Sequence, residues 1–168
     1  QYNYIEYSFD NHILLQLKDI LDEILDHDYL VFMIKTLRSF LNGHQKHNCY
    51  LFLIGDRHAR KILIQLLVES LGEYLQKLPQ DLINCDSSFI ALNPELALTR
   101  GKRIGVIEVV ENSENISLAK INELANREMI IARKYYNQPF EFKPQLDLII
   151  SSDIAIDKKN CVVFKPFL

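Results

Sequence analysis

Apolar residues at the start of the chain recur at helical spacing: Ile13, Leu14, Leu17, Ile20, Leu21, Ile24 and Leu25 fall on one stripe, with Asp10 or Asn11 placed to cap it. A second stripe follows Asp28, through Leu30, Met33, Ile34, Leu37, Phe40 and Leu41, and stops at Asn42-Gly43, where glycine suits a left-handed helix terminus. The pattern predicts two helices packed against each other.

Beyond them the period changes. Cys49 to Ile54 is a continuous apolar run of strand length, bounded by polar residues and Gly55. Such a run suits a strand covered on both faces, as in a parallel sheet. Helical spacing returns with Ile62, Leu63, Leu66, Leu67, Leu71 and Tyr74, ending before Pro79. Strand, short loop and helix form the first half of a βαβ unit. Arg103–Val110 and Leu146–Ser151 read as further buried strands, with a helical pattern over Ile116–Leu124 between them. Met129–Phe142, interrupted at Asn137-Gln138-Pro139, reads as a hairpin, and Cys161–Phe164 as a last strand. The expected fold is α/β, a central, mostly parallel sheet behind a helical leader. One soft boundary divides residues 1–46, the leader, from 47–168, the core.

Composition narrows this only slightly. The chain has 168 residues, 48% of them apolar, enough for one domain with a real core. Its 19 basic and 22 acidic residues give −3, so no global field draws it to nucleic acid, although a local basic face remains compatible with that balance. Cys49, Cys85 and Cys161 are too few and too scattered for a disulfide framework or a zinc site, and free thiols are expected. His12, His27, His44 and His47 form no ligand set. No apolar run reaches bilayer length and Gln1–Asp10 lacks a signal-peptide pattern, so the expectation is an intracellular protein with no membrane partner.

Candidate chemistry sits where the first strand opens into a helix. Nucleotide-binding proteins often carry G-x-x-x-x-G-K-[ST] there: glycines admit backbone amides to the phosphates, Lys neutralises them and the hydroxyl holds Mg²⁺. Here the segment reads Gly55-Asp56-Arg57-His58-Ala59-Arg60-Lys61-Ile62. Gly55 and Lys61 keep their separation, but Arg60 stands at the second glycine and Ile62 at the hydroxyl. Ile62 offers no oxygen to a cation that demands near-octahedral oxygen ligands.

The second half carries a collinear series: Arg100-Gly-Lys-Arg103 opening a strand and continuing to Glu111-Asn112, Ile130-Ile-Ala-Arg-Lys-Tyr-Tyr136, Pro139-Phe-Glu-Phe-Lys-Pro144, and Leu146 to Asp153. Together with the Gly55 loop this series resembles the superfamily 3 helicase domains of viral, phage and plasmid helicase–primases, over roughly residues 18–155. The resemblance implies an AAA+-like P-loop NTPase core, assembly as a hexameric ring, ATP hydrolysis between subunits and movement of single-stranded DNA. It also implies losses. In the acidic motif Val109 and Val110 take the first two places and Glu111-Asn112 the rest, leaving Glu108 and Glu111 as the candidate catalytic carboxylates. Neighbours on a strand face opposite ways, so Glu108 is no simple substitute. Asp153 stands where the family has a γ-phosphate-sensing Asn, and Asn126-Arg127-Glu128 replaces a Gly-Gly-Asp turn.

Three functions follow as expectations. The first is a degenerate, non-hydrolysing helicase-like domain with a structural or accessory role in DNA replication, as a homo- or hetero-oligomer and with no cofactor. Its nucleotide-binding remnant is Gly55, Arg60, Lys61 and Asp153. The second is an active ATP-dependent helicase with an unorthodox site, and only then do ATP and Mg²⁺ enter. The third is a single-stranded nucleic-acid-binding module gripping through Arg127, Arg133, Lys134 and Tyr135, with Tyr136 beside them.

Overall fold

The computed structural model describes residues 10–42, 50–85, 94–109, 116–134, 136–153 and 161–164. Helix α1 (Asn11–Ile24) begins at Asp10, whose carboxylate accepts the amide of His12, and α2 (His27–Asn42) follows after a two-residue break. Strands β1 (Tyr50–Ile54), β2 (Leu75–Leu78), β3 (Ile104–Glu108), β6 (Asp147–Ser152) and β7 (Cys161–Phe164) make a five-stranded sheet of order β2-β3-β6-β1-β7. Every pairing in it is parallel. β4 (Ile130–Ala132) and β5 (Phe140–Phe142) form a separate antiparallel pair, the hairpin the sequence predicts around Asn137–Pro139.

Alternation along the strands divides the core in two. Tyr50, Phe52 and Ile54 of β1, Ile107 of β3, and Leu148 and Ile150 of β6 face one layer, built from α4 (Pro94–Leu98), α5 (Leu118–Ala125) and the hairpin. Leu51, Leu53, Ile104, Val106 and Ile149 face the other, where Leu30, Met33 and Phe40 of α2 meet Leu63 and Ile64 of α3 (Arg57–Leu71). The leader therefore shares a core with the sheet. Both faces are covered, which is why the strands read as unbroken apolar runs. At Gly105 an added Cβ would come within 3.0 Å of Leu78 and Leu146 side chains, so β3 packs there with no room for one.

Two elements depart from expectation. β2 occupies Leu75–Leu78, where the sequence reads as the tail of a helix; it has only two buried residues, Leu75 and Leu78, so the edge strand carries little pattern. Helix α3 begins at Arg57, five residues before Ile62. Asp56 accounts for the early start, because its carboxylate accepts the amides of His58 (2.7 Å) and Ala59 (2.9 Å).

Candidate functional site

The chain leaves β1 for β2 on one side and leaves β6 for β7 on the other, crossing β1. Open α/β sheets bind ligands in the crevice at such a reversal, outside the carboxyl ends of the strands. The ends of β1, β3 and β6 meet there, and Arg57, Arg60, Lys61, Glu108, Ser151 and Asp153 line the cleft. Gly55, which turns the chain out of β1, has φ 140°, a backbone region open to glycine. Five of the sequence candidates, Gly55, Arg60, Lys61, Glu108 and Asp153, are thus neighbours. Glu111 lies outside the described residues.

Arg60 dominates the cleft. Its side chain is 4% exposed and spans the crevice: Nε donates to the Gly55 carbonyl (3.0 Å), one terminal nitrogen to Ser151 Oγ (2.8 Å), and the other to the Asp153 carboxylate. The remaining free space is about 30 Å³, room for roughly one or two waters. Neither Ser151 nor Arg57 stands out in the sequence. Ser151 lies inside a strand pattern, and Arg57 is one basic residue among several.

The backbone is occupied as well. With α3 starting at Arg57, the amides of His58 and Ala59 go to Asp56 and that of Arg60 to the Asp56 carbonyl. Those amides hold the Asp56 carboxyl below its usual range, Ala59 contributing most; burial acts in the opposite sense. A phosphate arriving at this helix terminus finds an anion of the chain already there. Lys61 is exposed, and Glu108 accepts a hydrogen bond from Lys77 at 3.0 Å.

The candidate nucleic-acid residues are divided. Arg127 donates to Asp147 at 2.9 Å with its side chain 21% exposed, at the amino end of β6 and so at the opposite end of the strands from Gly55. Arg133 and Lys134 are exposed beyond β4, in a tight loop where Arg133 Nε donates to the Asn137 carbonyl (2.8 Å). Tyr136 is fully exposed with φ 60°, and Tyr135 lies outside the described residues.

The architecture is an α/β fold, a parallel sheet with N-terminal helices, and it resembles a P-loop helicase-like domain. No protein-family model matches the chain. It is 27% identical over 149 residues to a protein of Acanthamoeba polyphaga mimivirus named as a putative helicase, a stretch covering 86% of this chain and 15% of that protein. Two apo structures of the C-terminal region of NrS-1 share its fold. One has TM-score 0.63 and 19% identity, covering 88% of this chain and 36% of that one. The other has TM-score 0.62 and 19% identity, covering 97% and 39%. The chain spans a minor part of each of these relatives. Among the described residues, no helix is long and apolar enough to cross a membrane.

Proposed function

We propose that this is a helicase-like domain that does not hydrolyse nucleotide and serves a structural or accessory role in DNA replication, assembled beside other subunits of a replication machine. The observation that carries this reading is the Arg60 side chain buried in the crevice at the ends of β1 and β6. A triphosphate needs that space, and about 30 Å³ does not accommodate it. Hydrolysis also needs charge neutralisation, a held Mg²⁺ and an oriented water together. Ile62 provides no metal ligand, and Glu108 is engaged by Lys77. Titrating ATP and Mg²⁺ in a calorimeter should give no binding or millimolar binding. Micromolar affinity with turnover overturns the proposal.

A second reading, a grip on single-stranded nucleic acid, is favoured by one feature. The hairpin loop exposes Arg133, Lys134 and Tyr136 together. Exposed aromatics stack on bases for about 1–3 kcal/mol each, while the cations track phosphates. Fluorescence anisotropy with a labelled oligonucleotide should show affinity falling with salt and reduced by Arg133→Ala and Lys134→Ala. Binding that ignores ionic strength rules against a phosphate-tracking loop.

A further inference from the structure

We propose that Arg60 serves as a built-in ligand: its guanidinium bridges the end of β1 to the end of β6 and fixes the candidate site in one conformation without any nucleotide. Backbone pairing joins β1 to β6 as far as Ile54 and Ser152. Past those residues the two chains depart in opposite directions, and there a side chain or a bound molecule is what can tie them. Here the tie comes from α3. One planar group reaches three acceptors, the Gly55 carbonyl after β1, Ser151 on β6 and Asp153 just after it, using donors in a fixed fork. A lysine ammonium in the same place lacks the fork and meets fewer of them.

Burial makes the tie consequential. Arg60 is 4% exposed, and removing it leaves Ser151, itself buried, facing an empty polar space. Asp153 is 69% exposed, so its loss alone is softened by water. Asp56 completes the arrangement by locking the first turn of α3, which carries Arg60, through the amides of His58 and Ala59. The positioning role belongs to Arg60, and it acts through Ser151, Asp153 and the Gly55 turn. This inference shares with the preceding reading only the premise that no nucleotide displaces the guanidinium.

The test is thermal unfolding without nucleotide, so it fails or succeeds independently of any ATP titration. Arg60→Ala should lower the midpoint by roughly 5–10 °C. Arg60→Lys should recover part of that, and Asp153→Asn should cost less than Arg60→Ala. Low-millimolar methylguanidinium should raise the midpoint of Arg60→Ala, leave the unsubstituted protein unchanged, and act more weakly on the Arg60→Ala, Asp153→Asn pair. A midpoint equal to that of the unsubstituted protein, or a fall that methylguanidinium does not reverse, overturns the inference. If Arg60→Ala does not fold, the Ser151→Ala, Asp153→Asn pair is read by amide exchange. Faster exchange at His58 and Ala59 supports the bridge, and unchanged exchange overturns it.

Discussion

Asp147 opens β6 almost entirely out of water. One carboxylate oxygen accepts from Arg127 and the other has no hydrogen-bond partner among the described residues. Burial pushes its pKa up to about 6, while Arg127 and Arg103 pull it down only in part. Arg127 itself holds φ 55° directly after α5, where the resemblance places a Gly-Gly turn. A glycine would adopt that conformation without strain but leave Asp147 without its cation. The carboxyl is raised above its unfolded value, so the folded state binds the proton more tightly. Its contribution to stability therefore grows as pH falls from about 6 towards 4, and ionisation above about 6 costs on the order of 2–3 kcal/mol. Asp147→Asn should be more stable than the unsubstituted protein at pH 7–8, with the gap closing below about pH 5. Denaturant titrations at several pH values check this. A gap that does not change with pH means that the carboxyl titrates normally.

Among the elements, most of those that the sequence announces have two-sided or strongly periodic burial; α1 is announced by its stripe as well, although Ile13, Leu14, Leu17 and Ile20 of that stripe are exposed. β1, β3 and β6 show as apolar runs because helices cover both faces of the sheet, and α2 shows because Leu30, Met33 and Phe40 seat on it. β2 does not show, since an edge strand of four residues buries only its ends. The start of α3 was hidden for another reason. A reading tuned to phosphate loops treats Asp56 to Arg60 as loop, whereas an Asp followed by a helix-forming run is also an ordinary N-cap. The candidate site was legible as a set of neighbours, through Gly55, Lys61, Glu108 and Asp153. The bonds from Arg60 to Ser151 and Asp153 were not, because those residues lie 91 and 93 positions away in sequence. Packing between elements leaves its own mark. An apolar cavity of about 160 Å³ separates α1 and α2 from α3, lined by Leu17, Leu21, Met33, Leu37, Leu63 and Leu67 among others. Leu67→Phe should fill part of it and raise stability by about 0.5–1 kcal/mol in denaturant unfolding. A loss instead means that the leader is held at this separation by contacts the larger ring disrupts.

For the whole molecule, the distinction that matters is whether stability is linked to a nucleotide. A molecule that binds only the folded state stabilises it by RT ln(1 + [L]/Kd). With roughly 1 mM ATP and Mg²⁺ and micromolar affinity this is about 4 kcal/mol, or roughly 8–16 °C in the midpoint of a domain this size. With millimolar affinity it is about 0.4 kcal/mol, or roughly 1 °C. The fold alone does not choose between these, since the same sheet order and the same crevice serve either case. The choice rests on what occupies the crevice, and here a guanidinium and a capping carboxylate of the chain already do. Melting curves with and without ATP and Mg²⁺ should therefore coincide to within about 1 °C. Adding single-stranded oligonucleotide should leave that comparison unchanged, because the hairpin that exposes Arg133 and Tyr136 is a separate two-stranded pair. A rise of roughly 8 °C or more with nucleotide shows that Arg60 yields its place to phosphate and that the crevice takes nucleotide after all.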